Sequence, residues 1–186
     1  MNLNALVKAY YKNQEKRERK IGRFYSSEIY SILTNKLKPE DFFKEKKFDL
    51  IACKNMFEGE IREKAFKILL DASKIKYEYQ PKKVKKFKNF EIVCVADFLF
   101  PNYILECKCP REFSGGIKDY HRPQLECQYR IFNKEVYIGY IKPYMDAIFY
   151  KYIPSDLFWQ EVVENLKLFN AKLRKLYENK ETSSKN

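Results

Sequence analysis

The chain is 186 residues long, enough for one domain with a buried core, and its 45% hydrophobic and 17% aromatic content excludes a disordered basic tail. Lysine and arginine total 37 against 25 acidic residues, a formal net charge of +12. That balance suits a polyanion such as nucleic acid, because cationic side chains displace the counterions of phosphates; a solvated lysine-rich surface gives the same number.

Residues 1–20 read as a basic helical segment ending in the charged run EKRERK. Ser26 or Ser27 can cap a helix running to about Asn35, with Glu28 in its first turn. Residues 37–50 read as a loop with aromatic anchors. Over 57–74, Ile61, Ala65, Ile68, Leu69 and Ala72 recur at helical spacing. A short strand is expected at 77–80 and a basic turn at 81–89. Two strands follow, over 90–99 and 102–109, paired around a turn at Pro101-Asn102. The segment 111–119, with Gly115-Gly116, reads as a mobile loop. A helix over 121–132 tolerates Pro123 in its first turn. Strands at 135–142 and 145–153 precede a long amphipathic helix capped by Ser155. Residues 179–186 are polar and expected to be a disordered tail, leaving one domain over 1–178. The order predicts an α/β (α+β) fold, a mixed central β-sheet flanked by α-helices.

The single histidine, His121, excludes a histidine-rich zinc site. Five cysteines and no signal-peptide pattern are expected of reduced thiols in an intracellular protein, in the cytoplasm or a host nucleus. Cys107-x-Cys109 lacks the spacing of a zinc site, so these residues read as core or strand positions. No run is apolar enough to span a membrane.

The chemistry concentrates in VCVADFLFPNYILECKCP (93–110). Glu-x-Lys by itself has no weight, since Glu45-Lys46-Lys47 and Glu178-Asn179-Lys180 share it in polar surroundings. Glu106 and Lys108 instead sit within an apolar strand, where unpaired charges cost several kcal/mol. Asp97 likewise ends the apolar run IVCVA. Period-two geometry puts Glu106 and Lys108 on one face, so a structural ion pair on an edge strand is the simpler alternative. The functional reading makes Asp97 and Glu106 carboxylate ligands for Mg²⁺ or Mn²⁺, with the backbone carbonyl of Cys107 as a further ligand. Lys108 would then orient the attacking water or stabilise charge on a phosphate. Glu63 on the 57–74 helix can supply a third carboxylate, or be an ordinary surface glutamate. Gln124 and Gln128, four apart, share a helix face and can bind phosphate or order water, or form a plain polar surface.

In order along the chain, Gly59…Glu63, Asp97, Glu106-Cys107-Lys108-Cys109-Pro110 and Gln124…Gln128 resemble the PD-(D/E)XK nuclease superfamily. The nearest branch is that of the YqaJ and phage-lambda-type exonucleases, relatives of RecB-type nuclease domains. The resemblance covers about 22–177, with FYSSEIYSIL (24–33) similar to that branch's serine-containing helix. Ala96-Asp97-Phe98 stands where the branch often has Pro-Asp-Gly, and Gln128 precedes Tyr129 out of the RecB-type Gln-x-x-x-Tyr spacing. The iron–sulfur cysteines of some relatives are absent. The resemblance implies a restriction-endonuclease-like core and Mg²⁺-dependent exonucleolytic cleavage of duplex DNA ends, in recombination, repair or viral genome processing. It also implies a homo-oligomer and a single-strand annealing protein as partners.

Three basic groups are candidates for DNA contact: Arg111, Lys118 and Arg122; Lys82, Lys83, Lys85 and Lys86; and Arg17, Arg19, Lys20 and Arg23, with Ser27 beside them. Tyr25, Phe42 and Phe43 can stack on bases, although Phe42 and Phe43 fit core packing better. The competing functions are a structure-specific endonuclease or junction resolvase, and a non-catalytic nucleic-acid-binding protein with the same fold.

Overall fold

The computed structural model describes every residue except 1, 14–18, 45–48, 111, 114 and 184–186. Among the described residues there are five α-helices: α1 (Leu3–Asn13), α2 (Ile29–Leu33), α3 (Leu50–Ala72), α4 (Arg122–Phe132) and α5 (Asp156–Ser183). Eight strands accompany them: β1 (Arg23–Tyr25), β2 (Glu78–Tyr79), β3 (Lys82–Lys86), β4 (Glu91–Val95), β5 (Phe98–Leu99), β6 (Tyr103–Lys108), β7 (Glu135–Ile141) and β8 (Ala147–Lys151). They form two mixed sheets, ordered β1-β4-β3 and β2-β5-β6-β7-β8. The parallel pairs are β1 with β4 and β6 with β7; α4 makes the crossover that the second of these requires.

The two sheets share one bent ladder. Tyr79 pairs with Phe98 and Lys82 with Val95, so the antiparallel register is the same on both sides of the break. Between them the Gln80 N–H donates to the Asp97 carbonyl (2.9 Å) and the Ala96 N–H to the Pro81 carbonyl (3.2 Å). Gln80 adopts φ 51°, a left-handed conformation that breaks the pleat. Asp97 therefore stands at the bend, directly opposite Gln80.

Several boundaries differ from those read in the sequence. β4 does not pair with β6; only Phe98-Leu99 does, opposite Leu105 and Ile104 around the expected turn. Residues 82–86 form a strand rather than a basic turn. KKVKK hides it because the ladder to β4 satisfies the backbone while Lys83 and Lys85 cover Phe132 and Trp159 with cation–π contacts. Arg23–Tyr25 is a further strand, and the turn after it is capped by Glu28, whose carboxylate accepts the Tyr25 N–H (3.1 Å). α3 begins at Leu50 because the Asp49 carboxylate accepts the Ala52 N–H (2.7 Å). Its expected apolar stripe is not its buried face: Ile61, Ile68 and Leu69 are exposed, while Leu70 and Phe66 pack against β5 and β6. Phe113 and Ile117 anchor the expected mobile loop, Phe113 lying 4.3 Å from Tyr140, and positive φ at Gly115 and Gly116 lets the chain turn there. α5 continues through the start of the expected tail, to Ser183, and Ser155 accepts the Phe158 N–H at its first turn (3.3 Å).

The main core lies between the first sheet, β7 and the helices α2, α4 and α5, with Phe24, Ile92, Leu125, Ile138, Leu166 and Leu173 fully buried. Each such side chain contributes roughly 1.5–3 kcal/mol by leaving water. A smaller core of Leu70, Phe98, Phe100, Leu105 and Ile141 fixes α3 to the second sheet. The site lies where these two cores meet.

Candidate active site

Glu106 is the centre of the site. It projects from β6, an interior strand, and its side chain is almost wholly buried. Three donors converge on its carboxylate. Oε1 accepts from the Lys108 ammonium (2.5 Å) and from the Gln124 amide (2.6 Å), and Oε2 accepts from the Gln128 amide. The Gln124 oxygen in turn accepts from Lys108 (3.3 Å). Helical spacing lets α4 present both glutamines to one carboxylate. The simpler alternative is thus partly true: Glu106 and Lys108 do form an ion pair, but within the sheet and under two glutamines.

Asp97 approaches from the bend. Its Oδ2 accepts the Cys107 N–H (2.7 Å), beyond the last β5–β6 pairing. The N–H and carbonyl of one strand residue point to the same side, so the Cys107 carbonyl faces the Asp97 edge as well. Burial, and then the charges of Glu106 and Glu63, push the Asp97 carboxyl well above the usual carboxylate range; Lys108 and the Cys107 amide only partly oppose this. Burial lowers the Lys108 pKa, but Glu106 and Asp97 outweigh it, and Lys108 is held above its ordinary value as a cation. Burial likewise keeps neighbouring thiols protonated, with Cys109 pushed up to about 11.

Glu63 reaches the site from α3. Its Oε1 accepts from the Tyr79 hydroxyl (2.8 Å) and the Gln80 amide (3.2 Å). Beside it, Arg62 donates to the carbonyls of Cys109 (3.1 Å), Pro110 (3.1 Å) and Ile141 (3.3 Å), tying α3 to the ends of β6 and β7. Sequence reasoning singled out none of Arg62, Tyr79 and Gln80. They carry no motif: the ladder opposite Asp97 reveals Tyr79 and Gln80, and the packing of α3 on the ends of β6 and β7 reveals Arg62. His121 packs edge-on against Tyr120 (ring centroids 4.2 Å apart), and burial followed by the Lys108 charge lowers its pKa to about 3, so it is neutral at physiological pH.

Among the described residues, no three His, Cys, Asp or Glu side chains are already gathered into a metal cage. The donor set nevertheless fits a hard divalent cation. Asp97, Glu106 and Glu63 are oxygen donors, the charges of Glu106 and Glu63 both act against an ionised Asp97, and a cation would relieve that repulsion. The Gln128 Oε1, buried and without a hydrogen-bond partner, is a free acceptor beside them.

The cationic candidates divide sharply. Arg17 and Arg111 lie outside the described residues. Arg19 pairs with Glu28 (2.8 Å) over the Phe42 ring, and Arg23 pairs with Glu91 (2.5 Å). Lys83, Lys85, Lys118 and Arg122 lie over aromatic rings. Lys82 is exposed, two residues along the ladder from Asp97. Lys86 and Lys20 line a shallow pocket of about 310 Å³ at the other end of β4. Ser27 is exposed on the turn after β1. Phe42 is core, against Phe24 and Phe169, and Phe43 packs on Tyr177 (4.8 Å).

A bent mixed sheet, with an aspartate at its bend and a Glu-x-Lys strand backed by a glutamine helix, defines a restriction-endonuclease-like α+β fold. The solved structures similar to this chain agree. The alkaline exonuclease LHK-Exo of Laribacter hongkongensis superposes with a TM-score of 0.67 at 12% identity, over 88% of this chain and 94% of that one; its complex with dAMP matches equally. A phage-related exonuclease of Haemophilus somnus 129PT gives 0.60 at 11% identity, over 84% and 96%. The SSO0001 protein gives 0.63 at 17% identity, over 89% and 83%. No protein-family model matches the sequence, and no curated protein matches it. Among the described residues, no helix is long and apolar enough to cross a membrane.

Proposed function

We propose that the chain is a divalent-metal-dependent deoxyribonuclease, and within that class an exonuclease acting on the ends of duplex DNA. One observation carries the reading: Lys108, Gln124 and Gln128 all converge on buried Glu106, with Asp97 on the adjoining strand edge. A purely structural ion pair needs neither the glutamine pair nor a second carboxylate whose burial costs stability. The similarity in fold to two exonucleases and the net charge of +12 support DNA as substrate.

Asp97, Glu106, Glu63 and the Cys107 carbonyl would hold Mg²⁺ or Mn²⁺. When bound, that ion supplies Lewis-acid activation of water and neutralises charge on the phosphate. The chain's own residues do the rest. Lys108 stays an ammonium, so it can donate to the attacking water or to a phosphate oxygen. Gln124 bridges Glu106 and Lys108 and fixes their separation. Gln128 leaves its Oε1 as an acceptor for a water. Lys82, exposed two residues along the ladder from Asp97, would meet a phosphate of the substrate, with Lys118, Arg122 and Ser27 as further candidates. Exonucleolytic resection would serve recombination, repair or viral genome processing, with a homo-oligomer and an annealing protein as the partners the resemblance implies.

The test uses linear and covalently closed circular duplex DNA with Mg²⁺, Mn²⁺ or EDTA. Degradation of the linear form alone is expected, abolished by EDTA. Asp97→Ala and Lys108→Ala should each lose roughly 10²-fold or more in rate while keeping the far-UV circular dichroism of the wild type. Full activity in both variants would overturn the assignment. Cutting of the circle would make the protein an endonuclease, and salt-sensitive binding without hydrolysis in any metal would make it a binding protein.

A further inference from the structure

Gln80 has a conformation its own chemistry does not explain. Its φ of 51° is in the left-handed region, which glutamine rarely adopts and which glycine or asparagine fills more readily. The residue is exposed, so no packing demand selects a long side chain there. Strained backbone of this kind persists where surrounding interactions over-determine it, and it clusters at functional sites.

Its contacts supply the reason. The backbone N–H of Gln80 holds the carbonyl of Asp97, its partner across the ladder (2.9 Å). The side-chain amide of the same residue holds Oε1 of Glu63 (3.2 Å) and meets the Tyr79 hydroxyl (3.2 Å), which itself donates to Glu63 (2.8 Å). One residue therefore grips the aspartate with its main chain and the helix carboxylate with its side chain. Glu63 sits on α3, which meets the sheet through side chains such as Arg62 and not through a backbone ladder, so its distance from Asp97 is not set by any strand register. The described hydrogen bonds to Glu63 both fall on Oε1, and both come from the Tyr79-Gln80 dipeptide.

We infer that Gln80 is a positioning residue that brings Glu63 to Asp97 as the third carboxylate of the metal site. The left-handed turn is what lets a single residue face both groups at once. The inference rests on the metal-dependent reading above and extends it to a residue outside the motif.

The test is Gln80→Gly. Glycine keeps the N–H that holds Asp97, relieves the left-handed backbone and removes the side chain's reach to Glu63 and to the Tyr79 hydroxyl. Titration calorimetry with Mn²⁺ is expected to show affinity about tenfold weaker than wild type, the scale typical when a partner that orients a ligand is lost. Thermal stability without metal should not fall. In a Glu63→Ala background the same change should have no further effect on Mn²⁺ affinity, because Gln80 acts through Glu63. Wild-type affinity in Gln80→Gly, an undiminished effect in the Glu63→Ala background, or a drop in stability without a drop in affinity would each overturn the inference. Wild-type protein that takes up no Mn²⁺ would overturn the metal reading along with it. Wild type that binds Mn²⁺ beside a Gln80→Gly variant that binds equally would overturn the role of Gln80 alone.

Discussion

Asp97 is a residue at which the site costs the fold stability. Its carboxyl is pushed well above its ordinary value by burial and by neighbouring charge, so the folded protein binds this proton more tightly than the unfolded chain does. The sign follows from linkage. Between the ordinary carboxylate pKa and the raised one the native state holds the extra proton, so stability falls as pH rises through that window and stays reduced above it. Asp97→Asn keeps an acceptor for the Cys107 N–H and removes the charge. In metal-free buffer near neutral pH this variant should melt higher than wild type, by roughly 2–4 °C for each kcal/mol recovered, and the gain should shrink toward acid. Thermal melts from pH 4 to pH 8 check it. The same variant should not cleave DNA, which would place activity and stability in opposition at one atom.

At the scale of elements, α4 decides whether the glutamines meet Glu106, and its orientation is set from behind. Glu126, between Gln124 and Gln128 in sequence, points the other way and is fully buried. It accepts from the Tyr152 hydroxyl (2.6 Å), the Ser155 N–H (3.1 Å) and Arg130 (2.8 Å), and Arg130 continues to Asp156 (2.6 Å). Glu126→Gln keeps the shape but turns an acceptor into a donor facing donors. It should cost about 3 kcal/mol, seen as a melting temperature lower by roughly 6–12 °C, with kcat reduced more than KM is raised. Much of this architecture is legible in the sequence. The helix carrying Gln124 and Gln128, the strand carrying Glu106 and Lys108 and the Pro101-Asn102 turn stand where periodicity puts them, because apolar spacing and turn residues are local signals. What escapes is long-range. KKVKK does not alternate in polarity, so β3 shows only through its ladder to β4. Tyr79 and Gln80 serve the site only by virtue of which strands lie opposite, and Arg62 by where α3 meets the strand ends. The stripe Ile61, Ile68, Leu69 misleads because α3 packs through Phe66 and Leu70 instead.

For the whole molecule, charge is the property that matters. Internal contacts occupy much of the cationic excess: Arg19 and Arg23 are in ion pairs, and Lys83, Lys85 and Arg122 cover rings. A duplex should therefore engage a narrower set than the composition suggests, with Lys82 nearest the site. Affinity for linear duplex should fall steeply with salt, and Lys82→Ala with Lys86→Ala should flatten the log–log slope by roughly 1–2. An unchanged slope in a salt titration would put the DNA on another face. The bent ladder carries a last consequence, for chain length. Register runs unbroken from Tyr79–Phe98 to Lys82–Val95, so only two residues fit between those pairs on each side. One residue more or fewer there would turn Lys83 and Lys85 to the opposite face and slide Gln80 away from Asp97. The bend is thus a measured gap that tolerates a change of residue far better than a change of number, and it ties the reach of the Asp97 edge to the alignment of both sheets.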